Sequence, residues 1–140
     1  NAYLRERHPA VKLSLFVFAN SSDTVIREMA TVSHLDYYGC DGRPWSNADG
    51  GDQESAGKTL VDNGGKFIRE ARTNKTGSLF LIENHNLAKS NFALLASGIP
   101  KVIAMRPDQL IYYYYPRNVE DVDAEMEIVR REVRKFHAGQ

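Results

Sequence analysis

The stretch from Gly77 to Tyr115, GSLFLIENHNLAKSNFALLASGIPKVIAMRPDQLIYYYY, decides the fold that this chain is expected to adopt. Its apolar run predicts a buried strand over 78–82, and the spacing of leucines and alanines after it predicts a helix over 86–97. A second apolar run predicts another strand over 102–105. Two strands joined by a helix indicate a strand-helix-strand crossover at 78–105, with its strands parallel.

The end of this stretch predicts a turn followed by another strand. Arg106-Pro107-Asp108-Gln109 is typical of a type I turn, and the run 110–115 that follows is rich in tyrosine. A turn this short indicates that the strands 102–105 and 110–115 are antiparallel neighbours. Beyond them, apolar residues recur at helical spacing over 117–136 and predict a C-terminal amphipathic helix.

The first half of the chain gives less definite patterns. The run 11–19 predicts a strand, and 24–34 is compatible with a helix or with the return strand of a hairpin. Residues 39–51 are dense in Gly, Asp, Asn and Pro and indicate a mobile loop or lid. Residues 52–62 suit a short helix, and 66–72 suits either a hairpin strand or a continuation of that helix.

These elements predict one globular domain over 1–140, because 140 residues is the size of an ordinary domain. The expected fold class is α/β or α+β. We expect a mixed sheet of five or six strands, covered by two or three helices.

Composition and charge exclude several classes of protein. Lys plus Arg and Asp plus Glu number 18 each, so no bulk charge attracts the chain to nucleic acid or to a membrane surface. No apolar run approaches the roughly 20 residues that span a bilayer. Cys40 is the single cysteine, so an internal disulfide is excluded and a reducing compartment is favoured. We therefore expect a cytoplasmic protein, with secretion not excluded by this pattern.

Polar residues follow the first predicted strand of the opening stretch directly. Glu83, Asn84 and His85 place a carboxylate, an amide and an imidazole where a buried strand emerges. Such a group can run proton transfer or bind a divalent ion, and Lys89 lies close enough in sequence to assist. Helix capping is the structural alternative for Asn84 and for Glu83, because helix starts favour these residues. Glu83, His85 and Lys89 are the candidate catalytic residues, and Asn84 is a candidate ligand-binding residue.

Other candidate ligand-binding residues lie in predicted turns. If the crossover strands are parallel, Arg106 is expected to join Glu83 at one edge of the sheet, with Asp108 in the same turn. Asn20 and Ser21 follow the strand 11–19 and are candidates for the same reason.

Short motifs around Glu83 resemble the PD-(D/E)xK nucleases. Val61-Asp62-Asn63 corresponds to the first acid of that pattern and Glu83-Asn84-His85 to the second, while the segment 98–115, GIPKVIAMRPDQLIYYYY, is similar to the tail of small domains of that superfamily. The chain departs from the pattern at Val61, where the motif has Pro, and at His85, where it has Lys. The resemblance implies that Asp62 and Glu83 hold a divalent metal, Mg²⁺ or Mn²⁺.

Two other resemblances also meet at this point of the chain. A Toprim-like arrangement would keep Glu83 and use Asp121 and Asp123 as its acidic pair. A cytidine-deaminase-like arrangement would use Glu54 as its acid, but the cysteine ligands of a catalytic zinc are missing.

The residues therefore leave two function classes open. The first is a metal-assisted hydrolase or transferase acting on a phosphodiester or a phosphorylated ligand, with a phosphorylated small molecule or nucleic acid as partner. The second is a non-catalytic binding or assembly module that uses the Tyr112–Tyr115 strand and the C-terminal helix, for example to form a homo-oligomer.

Overall fold

The computed structural model describes residues 2–46, 59–83, 85–113 and 118–138. Within them the chain alternates strands with helices. The elements in chain order are α1 (Ala2–Arg7), β1 (Ser14–Phe18), α2 (Asp23–Ala30), β2 (Tyr37–Gly42), α3 (Leu60–Thr73), β3 (Gly77–Glu83), α4 (Phe92–Ala104, preceded by a 3₁₀ turn at Lys89–Asn91), β4 (Gln109–Tyr113) and α5 (Val122–Ala138).

The four strands form one parallel sheet in the order β1-β2-β3-β4. Each strand is therefore the spatial neighbour of the strand before it in sequence, and every connection between them contains a helix. The register pairs Val17 with Cys40, Cys40 with Phe80, and Phe80 with Leu110. Because all the strands run the same way, their carboxyl ends lie at one edge of the sheet and their amino ends at the other.

The core lies between one face of this sheet and the helices α2 to α5. Alternate strand residues enter it, and they pack with Ile26 of α2, Phe67 of α3, Leu95 of α4 and Val129 of α5; the strand members are Leu15, Val17, Tyr38, Cys40, Phe80, Ile82 and Tyr112. The strand residues that alternate with these, among them Phe16, Asp41, Leu81 and Ile111, point to the opposite face. No helix among the described residues is long and apolar enough to cross a membrane.

The α/β class is confirmed, but the sheet differs from the prediction. It has four strands within the described residues rather than five or six, all parallel rather than mixed, and the described helices number five rather than two or three.

The predicted strand 102–105 is wrong, because those residues belong to α4 and to the residue that ends it. A run of apolar residues this short is compatible with a strand or with a buried helix, and here Val102 and Ile103 are buried by packing on the sheet. The crossover therefore runs from β3 through α4 to β4, and the strand that we expected to be antiparallel is a parallel neighbour of β3.

Three glycines that were predicted to end helices lie inside helices. Gly98 lies inside α4 rather than ending it, and a Cβ there would be 1.9 Å from the carbonyl oxygen of Pro44. Gly64 and Gly65 lie inside α3, which continues to Thr73, so of the two alternatives for 66–72 the helix continuation is confirmed and the hairpin strand is not. The close approach of α4 to Pro44 is the physical reason for glycine at position 98.

Candidate active site at the carboxyl edge of the sheet

The carboxyl ends of β2 and β3 bring four chemically useful side chains close to one another in register. Gly42 of β2 pairs with Ile82 of β3, so the residues that follow them, Arg43 and Glu83, lie at the same level of the sheet. Asp41 precedes Gly42 on β2, and His85 follows Glu83 by two residues. In sheets of parallel strands, ligands commonly bind at the carboxyl edge, where the loops can vary without disturbing the core. This edge is the candidate site.

Arg43 connects the two strand ends. Its side chain is buried, with 1% of the residue exposed. Nη1 donates to the carbonyl oxygen of Glu83 at 3.4 Å, Nη2 donates to the carbonyl oxygen of His85, and the guanidinium carbon lies 5.7 Å from the ring centre of Trp45. Arg43 thereby fixes the backbone that carries Glu83 and His85.

Glu83 is the last residue of β3 and is 6% exposed. Its Oε2 atom is buried and has no hydrogen-bond partner among the residues that the structure describes. Withdrawing a carboxylate oxygen from water without a hydrogen-bond donor costs free energy. Strand alternation places Glu83 on the sheet face opposite the core, the same face as Asp41. Groups kept at such a cost are frequent at functional sites.

His85, two residues after Glu83, also has a buried polar atom without a hydrogen-bond partner in the described part of the chain. Its Nδ1 atom is buried and has no hydrogen-bond partner within the described residues, while its carbonyl oxygen is held by Arg43. The next residue, Asn86, has a positive φ of 51°, and its side-chain oxygen accepts a hydrogen bond from Asn118 at 2.7 Å. The chain therefore turns sharply after His85, so the residue stays near the strand end.

Lys89 belongs to the same loop but is engaged elsewhere. Its Nζ forms an ion pair with Asp121 at 2.9 Å, and its backbone N–H donates to Glu120 Oε2 at 2.8 Å. The hydrogen bond with Asp121 raises the pKa of Lys89, so the side chain is a cation that ties this loop to the start of α5. The predicted role of Lys89, to assist at the site, stays a prediction.

Asp62 lies in the first turn of α3. Its two carboxylate oxygens accept hydrogen bonds from Ser46 Oγ and Thr59 Oγ1, each at 2.5 Å. A side chain held in this way stabilises the helix start, which competes with metal binding. Among the described residues there is no group of three or more His, Cys, Asp or Glu that could hold a metal ion.

The remaining predicted residues divide between the two edges. Asn20 and Ser21 follow β1 and lie at the carboxyl edge, where the Ser21 N–H donates to the carbonyl oxygen of Phe18 at 2.9 Å. Asn84 lies outside the described residues. Arg106 and Asp108 precede β4 and lie at the amino edge.

The expected convergence of Arg106 with Glu83 is therefore wrong. Glu83 pairs with Tyr113 at the far end of β4, whereas Asp108 accepts hydrogen bonds from the N–H and Oγ of Ser78 at 2.7 and 2.8 Å near its beginning. The error follows from the missing strand at 102–105. Once those residues are helical, the turn that contains Arg106 leads into a strand and not out of one.

Asp41, Arg43 and Trp45 were not among the predicted site residues, because 39–51 was interpreted as a loop. Gly39 and Gly42 suggested a turn, but β2 extends through both residues. The sequence signal that could have revealed the strand is Tyr37-Tyr38, two aromatic residues that favour strands, directly before these glycines. A Cβ on Gly39 would be 1.5 Å from the carbonyl oxygen of Leu79, so the glycine allows two strands to approach closely.

Cys40 lies on the core side of β2 and is buried. Burial raises the pKa of its thiol well above the ordinary range, so the thiolate that a nucleophile requires is disfavoured.

A polar concavity of about 500 Å³ lies at the opposite, amino edge, where its lining includes Lys12, Asp36, Lys75 and Asp108. Its carboxylates are engaged by the fold. Asp36 accepts from Arg5 and from the N–H of Leu13, and these hydrogen bonds lower its pKa. The concavity is therefore a surface groove between structural polar contacts.

Comparison with known proteins gives one remote similarity. No protein-family model matches the chain, and no curated protein matches it. The X-ray structure of the endo-beta-1,4-mannanase from Thermotoga petrophila is similar at 15% sequence identity and a TM-score of 0.47; the similarity covers 81% of this chain and 29% of the mannanase. The chain thus spans less than a third of that protein's length. A likeness of this degree says nothing about the activity of this chain.

Proposed function

We propose that the carboxyl edge of the sheet is the active site of a hydrolase or transferase acting on a phosphorylated ligand, with Glu83 as its acid–base residue. The observation that carries this proposal is the buried Glu83 carboxylate, whose Oε2 has no partner among the described residues. A carboxylate in this position is able to take the proton of an attacking water or hydroxyl group.

The surroundings of Glu83 support an anionic ligand. The helices α2, α3, α4 and α5 each follow a strand, so their N-termini lie toward the carboxyl edge and direct the positive ends of their dipoles there. Helix N-termini favour phosphate groups for this reason. An anionic phosphoryl group would therefore be stabilised near two carboxylates that would otherwise repel it.

His85 is the second residue to which we assign a role. Imidazole exchanges protons near neutral pH, and the Nδ1 of His85 is buried close to the end of β3. In the proposed reaction His85 supplies a proton to the leaving oxygen while Glu83 accepts one from the nucleophile. Arg43 acts as a positioning residue, because it holds the carbonyl groups of both residues.

A divalent ion at this edge would have few protein ligands among the described residues. Mg²⁺ commonly binds through one or two carboxylates plus substrate phosphates, so a full cage of protein ligands is not required. Glu83 is suited to this role, and Asp41 lies on the same sheet face. Asp62 would have to exchange its hydrogen bonds to Ser46 and Thr59 for the ion. A Mg²⁺ or Mn²⁺ ion bound here would neutralise charge on the phosphoryl group.

Turnover of simple phosphate esters tests the proposal. We would assay p-nitrophenyl phosphate, bis(p-nitrophenyl) phosphate and a short oligonucleotide with Mg²⁺, with Mn²⁺ and with EDTA. Glu83→Gln is expected to lower turnover by a factor of about 10² to 10⁴, the usual contribution of a general acid or base. Asp108→Asn, at the opposite edge, is the control and should leave turnover unchanged. Equal turnover by wild type and Glu83→Gln would contradict the proposal, as would no turnover of any of these substrates.

A binding or assembly module is the second candidate function, and one observation favours it. Tyr113, on the edge strand β4, is 45% exposed. The other residues predicted for this interface are engaged within the chain. Tyr112 points to the core side of the sheet, where its hydroxyl donates to Glu125 at 2.6 Å. The apolar stripe of α5 packs against α4. Tyr114 and Tyr115 lie outside the described residues.

A further inference from the structure

The face of the sheet opposite the core carries exposed apolar side chains on its two edge strands, β1 and β4. The residues on the face opposite the core include Phe16 and Phe18 on β1, which are 42% and 54% exposed, and Ile111 and Tyr113 on β4, which are 41% and 45% exposed. Between them, in the centre of the sheet, lie Leu79 and Leu81 of β3, of which Leu79 is buried and Leu81 is partly exposed. No described helix packs on this face, since the core cluster uses the other one.

Such a face is unusual for the architecture. Purely parallel sheets occur almost entirely with both faces covered, because each face is rich in apolar side chains. Within the described residues, β1 and β4 each pair with a single strand, so the sheet also has two open edges. Open edges with apolar side chains favour pairing with another chain.

We propose that a second copy of the chain covers this face, with β4 of each copy pairing in parallel with β1 of the other to close an eight-stranded barrel. A two-fold axis along the strand direction produces both seams at once, because all four strands run the same way and in sequence order. Eight parallel strands enclose an interior that side chains just fill, and Phe16, Leu79, Leu81 and Ile111 of both copies would fill it.

The charges of the chain are compatible with this partner. Lys plus Arg and Asp plus Glu number 18 each, so two copies do not repel one another through net charge. At the amino edge, Lys12 precedes β1 and Asp108 precedes β4, and the seam brings these opposite charges from different copies to the same edge, although within one copy Lys12 also pairs with Asp36 and Asp108 accepts from Ser78.

Closure would also complete the carboxyl edge. Glu83 is on the inward face, so the Glu83 residues of both copies would line the mouth of one barrel. The inference itself does not rest on the proposed function, because it follows from the open face and the two edges.

Measurement of molecular mass tests the partner. Light scattering should give twice the 15.8 kDa of one chain for the wild type. The Phe18→Lys and Ile111→Lys double variant should be monomeric, with the dissociation constant raised by roughly a hundredfold or more, because charges then lie inside the interface. Val25→Lys is the matched control, since Val25 is 40% exposed on α2, away from this face, and it should remain dimeric. A wild type that stays at the mass of one chain contradicts the proposal and assigns the face to a different partner.

Hydrogen exchange of the wild type tests the geometry without any substitution. Backbone amides of both β1 and β4 should become protected as the protein concentration rises, since closure pairs both edges. A dimer that protects neither strand would indicate face-to-face stacking and would overturn the barrel.

Discussion

The two edges of the sheet differ in whether their polar side chains are hydrogen-bonded. At the amino edge, Asp108 accepts hydrogen bonds from the N–H and hydroxyl of Ser78, and Asp36 accepts from Arg5, Lys12 and the N–H of Leu13. At the carboxyl edge, Glu83 and His85 each bury a polar atom that has no hydrogen-bond partner among the described residues.

This difference is the basis for proposing a functional site at the carboxyl edge and not at the amino edge. A carboxylate that accepts backbone N–H groups stabilises the fold, and its position is explained by that role. A buried carboxylate oxygen without a donor destabilises the fold, so its position requires another explanation. Arg43 has a structural role, because its guanidinium donates to the carbonyl oxygens of Glu83 and His85. It thereby holds in place the two residues whose side chains have a buried atom without a hydrogen-bond partner among the described residues.

The largest expected effect concerns this positioning. Arg43→Ala should lower the free energy of unfolding by about 3 to 6 kcal/mol, because each hydrogen bond from a charged donor contributes about 1.5–3 kcal/mol and two are lost. Urea unfolding followed by circular dichroism measures the change. Lys12→Ala at the amino edge is the control and should stay within about 0.5 kcal/mol of wild type, as is usual for exposed sites. A similar cost for both variants would remove the distinction between the edges.

A smaller effect is expected where α4 supports the carboxyl edge. Gly98→Ala should cost about 1–3 kcal/mol, because the new Cβ would lie 1.9 Å from the Pro44 carbonyl oxygen and must displace α4 or that loop. Gly65→Ala in α3 has no atom within 4 Å of its new Cβ and should instead stabilise by about 0.5–1 kcal/mol through helix propensity. Thermal unfolding of both variants checks the pair, and a neutral Gly98→Ala would show that the close approach is not required.

These two glycines also show what the sequence could and could not predict. Local pattern sufficed for β1, α5 and the strand that carries Glu83, because each has a clear period or a clear boundary, whereas 24–34 was compatible with a helix or a strand and is the helix α2. Gly98 was interpreted as a helix end, although its role is contact with Pro44, a residue distant in sequence. Such a contact leaves no trace in a local pattern.

The candidate site was predictable to the same extent. Glu83 and His85 were found because they directly follow an apolar run. Asp41 and Arg43 were missed because β2 contains two glycines, and only pairing with β3 makes that segment a strand. Arg106 was assigned to the wrong edge because the four residues before it are apolar, which is compatible with a strand or a helix until packing decides.

Acid should destabilise the amino edge through its paired carboxylates. The hydrogen bonds from Ser78 lower the pKa of Asp108, and the hydrogen bond from Leu13 is the largest cause that lowers the pKa of Asp36. A lowered folded-state pKa gives stability that is present above the unfolded-state pKa, about 3.9 for Asp, and is lost as the pH falls through the folded-state pKa. Urea unfolding at a series of pH values below 5 should therefore show a steeper loss for wild type than for Asp108→Asn. Parallel curves for the two proteins would contradict the assignment.

The most direct test compares one substitution at each edge. The free energy of unfolding of Asp108→Asn should fall by about 1–2 kcal/mol, because hydrogen bonds to an acceptor are lost or weakened. That of Glu83→Gln should be unchanged or higher, because the variant replaces a buried carboxyl group whose Oε2 accepts no hydrogen bond within the described residues. A loss in Glu83→Gln as large as that in Asp108→Asn would show that Glu83 is structural and would contradict the assignment of the carboxyl edge as the functional one.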